Sequence, residues 1–123
     1  MAGPREVAEA FSSHRFTEAY PALTDDVRWE LVGEDTITGR QAVIDACEST
    51  LAGLSTATTE FLRFVVIAEG EAVAVDAVGR YVDAQGGASV VSSCDLYAFR
   101  DGLITSITSY TVELDPGTMT SPT

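Results

Sequence analysis

Asp95 is the residue whose surroundings most favour chemistry. It interrupts the run Ala88 to Phe99 (ASVVSSCDLYAF), in which apolar and small residues otherwise dominate. A carboxyl among Val91, Tyr97 and Phe99 loses solvation, which disfavours its charged form and raises its pKa. In that state it can donate a hydrogen bond to a carbonyl or enolate oxygen, or act as a general acid. Strand alternation puts Val91, Ser93, Asp95, Tyr97 and Phe99 on one face, and Ser92, Cys94, Leu96 and Ala98 on the other. In the preceding run, Asp76, Val78, Arg80 and Val82 share one face; Val73, Val75 and Ala77 share the other. An inward-facing Arg80 supplies the alternative for Asp95, a structural ion pair that lowers its pKa and removes the neutral acid. Arg80 itself then either binds an acidic ligand group or neutralises Asp95 and Asp76.

The remaining candidates carry less. His14 is the single histidine and a base by type. It falls among serines between two helical segments, where an exposed turn residue is expected. Tyr20, Tyr97 and Tyr110 offer phenols, and Trp29, Phe11, Phe64 and Phe99 offer apolar surface; all are read as core or pocket lining. Asp25-Asp26 reads as a strand lead-in. No group of residues has the spacing of a zinc, magnesium or calcium site, and Gly86-Gly87 is not followed by a helix, so neither a metal nor a phosphate loop is expected. Cys47 and Cys94 form no C-x-x-C and are read as reduced structural thiols. No cofactor is expected.

The element that must position Asp95 is the closing hairpin. A three-residue loop, Arg100-Asp101-Gly102, places Phe99 opposite Leu103, Tyr97 opposite Thr105, Asp95 opposite Ile107, and Ser93 opposite Ser109. A two-residue Asp-Gly turn instead sets Thr108 opposite Asp95. The first is preferred because it gathers Phe99, Leu103, Ile107 and Val91 on one side, and a one-residue slip exchanges faces.

The rest of the chain supplies walls. Residues 4–13 read as a short helix with Val7, Ala10 and Phe11 on one edge and Pro4 at its start. A second helical segment carries Phe16, Ala19, Tyr20 and Leu23 and is broken by Pro21. Val27–Val32 alternates as a strand, Val27, Trp29 and Leu31 sharing a face. A third helix spans about residues 39–53, with Val43, Cys47, Leu51 and Leu54 as its stripe and Gly53 as its stop. Four strands come after it, at 60–68, 72–82, 88–99 and 103–114. Helices early and strands late predict an α+β fold, with helices packed on one face of a curved, mostly antiparallel five-stranded sheet. The expected pocket is lined by Phe11, Trp29, Leu31, Val78, Arg80, Ser93, Tyr97, Ile107 and Ser109 around Asp95.

Composition bounds the partners. The 123 residues imply one domain, with a core at about 5–115 and a frayed tail over 116–123. Nineteen acidic residues against seven basic ones give a net charge of −12. That repels nucleic acid and anionic membrane surfaces and favours a neutral, apolar small molecule. The N-terminus lacks an apolar signal core, and no apolar run approaches the roughly 18 residues of a membrane span, so a cytoplasmic location is expected.

Two stretches together resemble a known family. TDDVRWELVGEDTITGRQAVI (Thr24–Ile44) is similar to the front half of SnoaL-like members of the NTF2-like superfamily: an Asp-Asp pair, a strand, a loop, then Gly-Arg opening a helix. FRDGLITSITSYTVEL is similar to that family's final hairpin. The resemblance spans about Val7 to Asp115. It implies a cone in which a curved sheet wraps the helices around a deep pocket, and homodimers through the sheet's outer face. Relatives include ketosteroid isomerases, polyketide cyclases, limonene-epoxide-hydrolase-like enzymes and non-catalytic proteins. Asp95 falls on the isomerases' protonated oxyanion-hole Asp, a case in which an apolar site keeps a carboxyl neutral. Their catalytic Tyr matches Val7, and their general base matches Leu31, with Glu30 one residue away. The epoxide-hydrolase acid–base positions match Val78, Arg80 and Ser109, which do not carry that pattern. The resemblance leaves three functions: a cofactor-independent isomerase, cyclase or hydratase acting on a small apolar carbonyl compound; a non-catalytic pocket protein; or a dimeric accessory domain.

Overall fold

A computed structural model describes residues 2–117. Helix α1 (Pro4–Ser12) begins with proline at a position where no backbone donor is needed. It buries Val7, Ala8, Ala10 and Phe11. Pro21 limits the next helical segment to a single turn, α2 (Phe16–Ala19), and a 3-10 turn at Tyr20–Ala22. Strand β1 (Leu23–Leu31), strand β2 (Asp35–Thr38) and helix α3 (Arg40–Leu54) come next. The second half is strand only: β3 (Thr58–Glu69), β4 (Ala72–Val82), β5 (Ala88–Arg100) and β6 (Leu103–Leu114).

The six strands form one sheet in the order β2-β1-β6-β5-β4-β3, antiparallel except between β1 and β6. Bulges interrupt the β1/β6, β3/β4 and β5/β6 ladders. Each bulge bends its strand and increases local twist, which curves the sheet around the helices. Helix α1 packs on β3, β4 and β5, and α3 packs on β1 and β2. The core between them joins Val7, Phe11 and Phe16 to Val27, Val43, Cys47, Val75, Tyr97, Phe99, Ile104 and Ile107.

The α+β class and the helix-filled curved sheet agree with the sequence reading. Four details differ. The sheet has six strands, because Asp35–Thr38 pairs with β1 at the edge instead of remaining loop. Helix α3 runs one residue past Gly53.

The closing hairpin adopts neither expected register. Arg100 faces Leu103 across a two-residue Asp101-Gly102 turn, both turn residues having positive φ (54° and 81°). This is the primed turn that matches strand twist. Thr105 is then extra: Phe99 faces Ile104, whereas Ala98 faces Ser106. The bulge restores the parity that the short turn would have broken. Tyr97 consequently faces Ile107, and Asp95 faces Ser109 rather than Ile107 or Thr108.

The facing of β4 is also corrected. Val75 is the partner of Asp95, and Ala77 of Ser93. Antiparallel partners share a face, so Val73, Val75, Ala77, Gly79 and Tyr81 point toward the helices. Arg80, Val78 and Asp76 point to the opposite face. Alternation groups residues correctly, but only the neighbouring strand's register says which group is inside. Of the expected tail, Pro116 and Gly117 are exposed, and residues 118–123 lie outside the described residues. Among the described residues no helix is long and apolar enough to cross a membrane.

Candidate functional site

Asp95 lies mid-strand in β5, on the concave face. Its carboxyl is held from both sides. Ser109 Oγ, on the directly opposed residue of β6, donates to Oδ1 over 2.7 Å. Ser12 Oγ, at the last residue of α1, donates to Oδ2 over 2.7 Å. Each hydroxyl is supplied in turn by an aromatic residue. Trp29 Nε1–H donates to Ser109 Oγ at 2.9 Å. The Tyr97 hydroxyl is hydrogen-bonded to Ser12 Oγ. A serine has one proton, so when Ser12 gives it to Asp95 the phenol must be the donor to Ser12. Two relays, Trp29–Ser109 and Tyr97–Ser12, therefore converge on one carboxyl.

The carboxyl opens onto a cavity of about 310 Å³. Phe11, Phe16, Trp29, Leu31, Ile37, Phe61 and Val91 give it apolar walls; Ser12, His14, Glu34, Thr50, Tyr81, Ser93, Ser109 and Thr111 are its polar groups besides Asp95. Phe11 sits edge-on to Phe16, Trp29 and Tyr97, at centroid distances of 4.9, 5.1 and 6.0 Å. A wider recess of about 560 Å³ adjoins it and shares His14, Thr50, Tyr81 and Val91. Glycine at position 79 makes room for the Tyr81 ring: a Cβ there would lie 2.7 Å from the Tyr81 hydroxyl.

Burial pushes the Asp95 carboxyl above its ordinary range; the hydrogen bonds from Ser109 and Ser12 and the charge of His14 pull the other way and lose. Two neutral hydroxyl donors replace less solvation than water and a cation would supply. Burial likewise raises the Tyr97 phenol, with a further push from Asp95. It raises Tyr81, again helped by Asp95. The His14 imidazole is lowered by burial, which Asp95 partly offsets. Burial pushes the Cys47 thiol up to about 12, so it is a core thiol without nucleophilic character at neutral pH.

Of the residues the sequence proposes for the pocket, Phe11, Trp29, Leu31, Ser93 and Ser109 line the cavity with Asp95. Tyr97 lies behind it, as the donor to Ser12. Ile107 is buried core beneath it. Val78 and Arg80 are excluded, being on the other face of β4; Val78 is buried there. The Asp95–Arg80 ion pair is therefore absent, and Asp76 pairs with Arg63 at 3.1 Å instead. Leu31 lines the cavity, whereas Glu30 is exposed on the opposite side of β1. Among the described residues no three His, Cys, Asp or Glu side chains are grouped to hold a metal.

Ser12, Gly79 and Tyr81 escape the sequence reading, and His14, expected as an exposed turn residue, is half-buried and lines the cavity. Ser12 registers there only as part of a break in an apolar pattern. Gly79 and Tyr81 have the same parity as Val75 and Ala77, and that is the available signal.

Solved structures share this architecture. An NTF2-like protein of unknown function from Cytophaga hutchinsonii is 32% identical, with 87% of this chain and 94% of that one covered and a TM-score of 0.77. A candidate polyketide cyclase from Xanthomonas campestris pv. campestris is 24% identical (87% and 91% covered, TM-score 0.67). A limonene-epoxide-hydrolase-like epoxide hydrolase of M. tuberculosis is 22% identical (89% and 82% covered, TM-score 0.67). Among curated proteins none matches the chain. The SnoaL-like domain family matches residues 5–107, a span that runs from α1 through the Asp95 strand into β6. The shared architecture and that match identify the chain as a member of the SnoaL-like domain family.

Proposed function

We propose that this chain uses its cavity to take a small, neutral, mostly apolar carbonyl compound, and that Asp95 meets the carbonyl oxygen as a protonated hydrogen-bond donor. The chemistry that fits is cofactor-independent isomerisation or aldol-type cyclisation, in which an enolate forms and collapses. One observation carries this reading. Asp95 is a carboxyl with a raised pKa, facing apolar walls, with hydroxyl partners and no arginine beside it. A carboxyl so placed stabilises negative charge as it develops on oxygen, and the low-polarity surroundings strengthen that effect. A volume of about 310 Å³ suits a compound of one or two rings.

Trp29 is the only tryptophan and lines the cavity, so its fluorescence reports occupancy. One- and two-ring ketones are expected to quench it at lower concentration than hydrocarbons of the same size. Asp95→Leu should abolish that difference. Equal affinity for ketones and hydrocarbons in the wild type would remove the role given to Asp95.

The acting unit is proposed to be a homodimer joined through the convex face of the sheet. Val65, Ile67, Leu96, Tyr110 and Val112 are exposed there, Ile67 by 65% and Val112 by 60%. An apolar patch spread over three strands of one face is what a sheet-to-sheet interface requires.

A further inference from the structure

We propose that His14 is the general base of this pocket, accepting a proton from the carbon next to a carbonyl that Asp95 holds. The inference rests on the reading of Asp95 as the carbonyl's hydrogen-bond donor. It starts from the backbone. Helix α1 ends in a Schellman arrangement: Arg15 N–H donates to Ala10 O at 2.8 Å, and His14 N–H donates to Phe11 O at 3.1 Å. The residue at the centre of that motif must be left-handed, and it is usually glycine. Here it is histidine, with φ of 68°. A side chain kept where glycine would fold more easily points to a use for that side chain.

The left-handed turn places the imidazole at the boundary between the inner cavity and the outer recess, lining both. It rests among Phe16, Phe61 and Tyr81, with ring centroids at 5.6, 5.8 and 5.9 Å. Among the described residues its ring makes no side-chain hydrogen bond, so its nitrogens are free for a ligand. The titratable groups that line these two spaces with it are Asp95 from β5, Tyr81 from β4, Glu34 from the β1–β2 turn and, in the outer recess, Asp83 from the β4–β5 turn. Its neighbours Arg15 and Glu18 pair with each other at 3.3 Å on the exposed side. Burial favours the neutral imidazole, the form a base needs.

The step balances without a co-reactant. A neutral His14 nitrogen takes the α proton. The C–H electron pair becomes the carbon–carbon double bond of the enol, and the carbonyl π pair goes to oxygen, which takes the Asp95 proton. Return of the His14 proton to the α carbon restores the ketone; where a carbon–carbon double bond lies beside that carbon, return to the far end of the conjugated enol moves the double bond, and in either case the carboxylate recovers its proton from the enol oxygen.

The test is exchange of the α protons of 2-tetralone in D₂O, monitored by proton NMR, with binding read from Trp29 quenching. Wild type is expected to exceed the buffer rate. His14→Gln and His14→Gly should each lose about 100-fold or more of the added rate. His14→Gly should keep or raise Tm, because glycine suits the left-handed position. The rate of the wild type should fall at acid pH as the imidazole protonates, and His14→Gln should lack that limb. Wild-type exchange in both His14 variants, with Asp95→Asn slowed, would overturn the base and leave the role of Asp95 intact. Exchange at the buffer rate despite quenching would overturn the base and leave the pocket. Absence of quenching would end the pocket reading and this one with it.

Discussion

Ser109 can give its proton only to Asp95, because Trp29 occupies the hydroxyl with a group that donates and never accepts. The direction of that relay is fixed, and Oδ1 of Asp95 is permanently an acceptor. The other relay is reversible, since the Tyr97 phenol donates or accepts. A proton bound by Asp95 therefore resides on Oδ2, the oxygen beside Ser12. The asymmetry assigns one oxygen of the carboxyl to structure and the other to chemistry.

Ser109→Ala breaks the fixed relay and strands two groups, the Trp29 N–H and Asp95 Oδ1. Leaving buried polar groups unpaired costs about 1–3 kcal/mol. A loss of that size is expected in urea unfolding. The Asp95 pKa should rise further, because the hydrogen bond from Ser109 is the strongest influence holding it down. Carboxyl-carbon NMR across an acid titration reads this directly. An unchanged or lowered Asp95 pKa would contradict the relay.

Asp95→Asn should change how stability depends on pH. The folded carboxyl has a raised pKa, so the folded chain binds this proton more tightly than the unfolded chain. Between the unfolded value near 3.8 and the raised folded value, stability falls as pH rises. Below that window the carboxyl is neutral in both states and the penalty is absent; above it the penalty is complete. Asparagine keeps an acceptor for Ser109 and places a donor toward Ser12, so the fold is expected to persist. The variant should gain on the wild type as pH climbs through the window. Parallel stability curves for the two proteins would refute a carboxyl destabilised by burial.

How far the sequence reaches depends on the kind of information each feature needs. Asp95 is legible because a carboxyl in an apolar strand conflicts with its surroundings, and such conflicts gather at functional sites. The helix-then-strand order is legible from periodicity. Arg80 is misplaced by the sequence because alternation groups residues without saying which group faces inward. That depends on the β4/β5 pairing of Val75 with Asp95, a non-local fact. The Asp95–Ser109 pairing is hidden because the Asp101-Gly102 turn and the bulge at Thr105 act together, and each alone predicts a different partner. Ser12 and His14 belong to a helix end some eighty residues from Asp95 in sequence. Only the packing of α1 across the sheet brings them there.

His14 offers a clean spectroscopic check because it is the only histidine. Its folded pKa lies below 6.5, through burial. The folded chain then binds this proton less tightly than the unfolded chain, so the stability it contributes is present above pH 6.5 and is lost as pH falls through the window beneath. The imidazole proton resonances should report a midpoint below 6.5. In Asp95→Asn that midpoint should stay where it is, since a protonated Asp95 exerts no charge on the imidazole; a fall would show an ionised carboxyl holding it up and would count against the neutral acid. A midpoint at or above 6.5 in the wild type would return His14 to the exposed turn that its sequence neighbours imply.

The convex face gives the last prediction. Ile67 on β3 and Val112 on β6 are the most exposed apolar side chains of their strands, on opposite flanks of Leu96 on β5. A lone Ile in water is unremarkable, but five such residues on one face raise the free energy of the monomer. Burying them against a second copy removes that cost without altering the concave pocket. Light scattering of the wild type should give the mass of a dimer. Ile67→Glu with Val112→Glu places a buried, unpaired carboxylate on each side of such an interface, which opposes association by several kcal/mol. The double variant should be monomeric and should keep the near-ultraviolet signal of Trp29, since Trp29 faces the other side. A monomeric wild type would overturn the homodimer.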